Sequence, residues 1–111
     1  MAFQLTPKYI ALLLIAVAVI FELVGDIFIK KWAIESRSIL LLVGFAIYTI
    51  GTVFWVFSLK YELLSKAISV FTILNLVLIV LASVLIFKED LSLINKIGIG
   101  FGIISILLIE A

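Results

Sequence analysis

Glu22 and Asp26 are the residues of this chain best suited to chemistry. They lie one helical turn apart in an apolar run from Tyr9 to Ile29, which is long enough to cross a bilayer. An ionisable side chain facing lipid at that depth costs roughly 2.5–3.5 kcal/mol, so membrane carboxylates turn towards a protein interior or a wet cavity and handle protons, ions or charged substrates. A carboxyl group there gains and loses its proton as its surroundings change, which lets it exchange a proton for a cation. The plainer alternative for Glu22 is burial against a Ser, Thr or Asn that satisfies it. For Asp26 it is a helix-end ion pair with Lys30, four residues on, in the acid-before-base order that favours such pairs. Lys30 and Lys31 also suit the negative C-terminal end of a helix dipole.

Further polar candidates are sparse. Tyr48, Thr49, Thr52, Trp55 and Ser58 fall in a second apolar run, and Ser69, Thr72, Asn75 and Ser83 in a third. Asn75 is mid-run, where an amide must be hydrogen-bonded, so it is a site residue or a clasp between helices. Tyr48 and Trp55 could form an aromatic wall for a cation or simply fill space. The chain has no Cys and no His, which excludes disulfides, thiol catalysis and His/Cys metal sites. No nucleophile–base constellation is present, so an enzyme is not expected. No cofactor or metal is expected either, beyond a proton gradient as coupling ion.

The elements that hold these residues are set by hydropathy. The 111 residues are 67% hydrophobic with a mean hydropathy of +1.49. Soluble domains are about 45–50% apolar, so lipid must be the solvent. Four runs can form membrane helices of roughly 20 residues: 9–29, 39–59, 67–87 and 91–109. The expectation is one all-α, four-helix transmembrane domain. Lys30 to Ser38, Lys60 to Lys66 and Lys88 to Asp90 are the connections, short enough to make neighbouring helices antiparallel. Lys8 before the first run fits a signal peptide, but the run continues through Glu22 and Asp26 with no small-residue cleavage site, so it reads as a retained helix.

Charge says little about orientation. Lys8, Lys60 and Lys66 would share one side, and Lys30, Lys31, Arg37, Lys88 and Lys96 the other. Three against five is a weak positive-inside bias, mildly favouring cytoplasmic odd loops and permitting both orientations. A net charge of +1 argues against a nucleic-acid partner.

Small residues mark close contacts. Ala11, Ala18, Glu22, Gly25 and Ile29 share a face of the first helix. Gly98 and Gly102 form a G-x-x-x-G face on the fourth, suited to a dimer or an intramolecular contact.

The stretch Phe21-Glu22-Leu23-Val24-Gly25-Asp26-Ile27-Phe28-Ile29-Lys30 resembles the first-helix motif of the small multidrug resistance transporters, in which Gly follows the Glu by three residues and Lys by eight. Phe54-Trp55 resembles that family's second-helix aromatic pair. The segment from Val84 to Gly102, with Phe87-Lys88-Glu89-Asp90 and then Gly98, is similar to the end of the wider drug/metabolite transporter superfamily. The resemblance spans nearly the whole chain. It implies an antiparallel homodimer in the inner membrane, inserted in both orientations, whose paired Glu22 residues bind protons or a cationic or polar substrate in turn. Departures are visible too. Positions near Val70 and Ile73 lack the third-helix aromatics of the drug exporters, and Asp26 replaces a neutral polar residue. Leu74-Asn75 is instead similar to small flippase subunits that move aminoarabinose on undecaprenyl phosphate.

Three functions follow as expectations. The first is a proton-coupled exporter using Glu22, with Asp26, Tyr48, Trp55 and Asn75 around it and Gly25, Gly98 and Gly102 for packing or dimerisation. The second is a lipid-linked sugar flippase subunit, marked by lateral access and a basic pocket using Lys30 or Lys31. The third is a non-transporting helix-bundle partner.

Overall fold

The computed structural model describes residues 7–110. Four helices follow in order: α1 (Pro7–Glu35), α2 (Ser38–Ser58), α3 (Leu64–Leu85) and α4 (Leu93–Glu110); no strand occurs among the described residues. Three of them, α1 to α3, are long and apolar enough to cross a membrane, which suggests a membrane-embedded protein. At 18 residues, α4 is about 27 Å long, slightly less than a hydrocarbon core of about 30 Å.

Inside the bundle α1 packs along α2 and, less extensively, on α3, while α4 packs on α3. Ile15, Val19, Ala67 and Val70 form the buried centre, with Trp55, Phe71, Leu74 and Leu78 against it. Large apolar side chains such as Leu42, Phe45, Leu85, Phe101 and Leu108 are exposed. In water that surface would be prohibitive; in lipid it is the expected outer face.

Close approach of α1 and α2 rests on residues without side chains. A Cβ at Gly25 would lie 2.8 Å from the Tyr48 ring and 3.1 Å from the Gly44 carbonyl oxygen. Seven residues back along α1 and seven forward along α2, a Cβ at Gly51 would lie 3.0 Å from Phe21 Cβ and 3.2 Å from the Ala18 carbonyl oxygen. The helices therefore touch backbone to backbone at two levels two turns apart. Ala18 and Gly25, part of the small-residue face expected on the first helix, are both buried, and this contact lies within one chain.

Sequence and structure differ at the end of α1. Residues 30–35, expected as connection, continue the helix to Glu35. The segment Lys30-Lys31-Trp32-Ala33-Ile34-Glu35 holds no Gly or Pro to stop it, and its charged groups are exposed. The helix is 29 residues long, about 43 Å, so its last turns extend past an apolar layer of about 30 Å. The chain then reverses within Ser36 and Arg37. Ser36 takes φ 58°, and its N–H donates to the Trp32 carbonyl at 2.7 Å. That left-handed position at a helix C-terminus favours Gly. Ser36→Gly is expected to stabilise the fold by about 0.5–1 kcal/mol, read as a higher thermal midpoint in detergent.

Two further ends, the start of α4 and the end of α3, are closed by local hydrogen bonds. Ser92 Oγ accepts from the Asn95 N–H at 3.1 Å and caps α4. Lys88 takes φ 53°, and the Glu89 N–H donates to the Ser83 carbonyl at 3.1 Å. This folds Glu89 back over the end of α3.

Candidate functional site

Glu22 and Asp26 project from α1 into two separate clefts. Glu22 is half-buried in a cleft of about 190 Å³ lined with Gly51, Thr52, Trp55, Ile68 and Phe71. The missing side chain at Gly51 leaves α2 backbone beside the carboxylate. Trp55 and Phe71 form its aromatic wall, with ring centroids 5.0 Å apart and planes inclined by 59°. Of the aromatic pair on α2, Phe54 turns the other way and stacks on Phe21 at 5.7 Å.

Asp26 lines the second cleft, of about 170 Å³, with Lys30, Ser83, Phe87 and Glu89 among its walls. Its carboxylate accepts a hydrogen bond from the Tyr48 hydroxyl across the α1–α2 contact. Gly25 makes this possible, because the Tyr48 ring occupies the space a Cβ there would need. Among the described residues Asp26 forms no ion pair with Lys30, although both line the cleft. Tyr48 and Trp55 therefore attend different carboxylates, Tyr48 at Asp26 and Trp55 at Glu22.

Glu22 is not satisfied by neighbouring hydroxyls. Thr52 Oγ1 donates to the Tyr48 carbonyl at 3.0 Å and Ser58 Oγ to Trp55 at 2.6 Å. Ser69 donates to Ser65 at 2.7 Å and Ser83 to Val80 at 2.8 Å. Each hydroxyl is turned onto its own helix. Among the described residues no hydrogen-bond donor or basic group pairs with Glu22. The carboxylate faces an aromatic-walled opening.

Asn75 Oδ1 is also buried, with no hydrogen-bond partner among the described residues. Along α3, Ile68 and Phe71 line the Glu22 cleft, and Ile79, Ala82 and Ser83 line the Asp26 cleft. Asn75 lies four residues from both Phe71 and Ile79, so it occupies the same helix face between the two clefts. Gly98 lies apart from both clefts: nothing comes within 4 Å of a Cβ built there, and one at Gly102 meets only Ile73 at 3.6 Å.

Ile68, Phe71, Phe87, Glu89, Gly44 and Gly51 were not evident as site or packing residues in the sequence. The glycines carried a readable signal, since Gly44 and Gly51 repeat at the seven-residue spacing that also separates Ala11, Ala18 and Gly25. The others gave none, because they join the site only through tertiary contact.

No family model matches the chain. No solved structure matches it either.

Proposed function

We propose that the protein is a small inner-membrane transporter that exchanges protons for cationic or polar small molecules at Glu22. The observation that carries this is the position of Glu22, a carboxylate without a partner among the described residues, open to a cleft walled by Trp55 and Phe71. A carboxylate kept for packing would be paired or sealed. One beside aromatic faces can hold an organic cation by charge and by cation–π attraction. In the proposed cycle a protonated Glu22 loses its proton as the cation binds. The loaded protein changes its open side, and an incoming proton displaces the cation there. Net exchange requires the two states to differ in affinity for the cation.

The working unit is proposed to be an antiparallel homodimer of four-span subunits, as the resemblance to small multidrug resistance transporters implies. The open space at Gly98 supports this, since it leaves room for another helix at close range. With no native Cys in the chain, Gly98→Cys provides a clean probe. Bridged by a flexible bismaleimide, it is expected to give a cross-linked dimer in native membranes, whereas a Cys at exposed Leu42 is expected to give none.

A lipid-linked sugar flippase subunit is the other function that a specific observation favours. Lys30 lines the Asp26 cleft near the end of the helices, where it could meet a phosphate. Asp26 and Glu89 line the same cleft, however, so acid outweighs base and a cation suits it better.

Reconstitution into liposomes with an imposed pH gradient tests the proposal. Addition of butyltrimethylammonium, which has no neutral form able to cross the lipid unaided, is expected to dissipate the gradient faster than in protein-free liposomes. Equal rates with and without the protein would reject the exchanger.

A further inference from the structure

Asn75 adds something that the exchanger proposal does not contain. A buried carbonyl oxygen without a donor loses the hydrogen bonds it had in water and regains none. Such an atom in a native core calls for an explanation in ligand or function. It lines neither cleft but lies between them along α3, four residues from Phe71 in the wall of the Glu22 cleft and four from Ile79 in the wall of the Asp26 cleft. The hydroxyls of this region are spent, which leaves Trp55 N–H beside Glu22, the Asn75 amide N–H groups and Lys30 at the Asp26 cleft as its donors. Glu22 has no donor partner among the described residues. The hydroxyls of Thr52 and Ser83 are already donated to backbone. The Tyr48 hydroxyl is given to Asp26.

A site that offers unmatched acceptors selects a ligand that brings donors. A primary ammonium group carries three N–H donors and a positive charge, whereas a quaternary ammonium carries the same charge and none. Trp55 and Phe71 attract both through their faces, and Glu22 attracts both through charge. Asn75 distinguishes them. We infer that Asn75 is a specificity-determining residue whose side-chain carbonyl accepts a hydrogen bond from the substrate between the two carboxylates, so that the preferred substrates are primary alkylammonium ions. This rests on the assignment of Glu22 as the cation site. The short apolar tail of such a substrate suits the Ile68 and Phe71 side of the cleft.

The test is equilibrium binding to the purified full-length protein, followed by tryptophan fluorescence, with butylammonium and butyltrimethylammonium as probes. Wild type is expected to bind butylammonium at least about tenfold more tightly, the size of one hydrogen bond to a charged group. Asn75→Leu, which removes the unmatched acceptor and is of similar volume, is expected to fold with a thermal midpoint no lower than wild type. It is expected to lose that preference by weakening butylammonium binding while leaving butyltrimethylammonium binding unchanged. Asn75→Asp, which keeps an acceptor oxygen, is expected to retain the preference.

An unchanged ratio in Asn75→Leu, or no preference in wild type, would overturn the role of Asn75 while leaving Glu22 in place. If Glu22→Gln bound both probes as wild type does, the cation site itself would be wrong. Loss of both probes equally in a folded Asn75→Leu protein would also overturn the inference, because it would indicate a general effect on the cleft.

Discussion

Glu22→Gln is expected to bring proton-coupled cation flux in liposomes down to the protein-free background. The substitution keeps the shape of the side chain and its place beside Gly51, Trp55 and Phe71. It removes the change on which the proposed exchange depends, the alternation between carboxylate and carboxylic acid. A Gln amide neither takes up nor releases a proton, so cation binding is no longer linked to proton release. The protein should fold, because Glu22 makes no hydrogen bond or ion pair within the described chain that the amide would break. Flux and thermal midpoint measured on the same preparation separate the two effects. Loss of flux with an unchanged midpoint is the expected result. Undiminished flux would place the exchange elsewhere.

Gly44→Val should have the largest effect on the fold itself. A Cβ at Gly44 would lie 2.7 Å from Ile29 Cγ1 and 3.2 Å from the Gly25 carbonyl oxygen. Valine adds two further carbons in a seam where helix backbones already touch, so α1 and α2 must move apart. Overpacking of this kind costs about 1–3 kcal/mol. It also withdraws the Tyr48 ring from Gly25 and with it the hydroxyl bound to Asp26. The comparison is Gly100→Val on α4, where nothing lies within 4 Å of a new Cβ and the change should be within about 0.5 kcal/mol. The same substitution at two glycines should therefore give a large fall in thermal midpoint at one and little at the other. A similar response at both would argue against the α1–α2 seam.

What was legible in the sequence follows from the range of the interactions involved. Apolar runs bounded by charge located the four helices, because satisfying backbone groups in lipid leaves helix as the solution for each run. The cost of a polar group in such a run draws attention to Glu22 and Asn75; the structure opens Glu22 to an aromatic-walled cleft and buries Asn75 Oδ1 without a partner among the described residues. The small-residue face of α1 was visible in its spacing. Its matching surface at Gly44 and Gly51 shows in the sequence only as a seven-residue repeat, which does not by itself say that the two helices meet there. The end of α1 was missed because charged residues suggested a loop, whereas a helix needs no apolar residues once it has left the lipid. The partner of Asp26 was equally hidden. Lys30 is near in sequence, but Tyr48, 22 residues away, reaches it only because Gly25 lets the helices close. The division of the acids between two clefts depends on how α3 lies against α1, which no local pattern encodes.

Proton release on cation binding tests Glu22 most directly. Purified protein in weakly buffered detergent solution would be mixed with saturating butylammonium while a pH indicator is followed. The account predicts release of about one proton per bound cation, as linkage at a shared carboxylate requires, and none from Glu22→Gln. Binding by wild type without proton release, or equal release from the Gln variant, would contradict it.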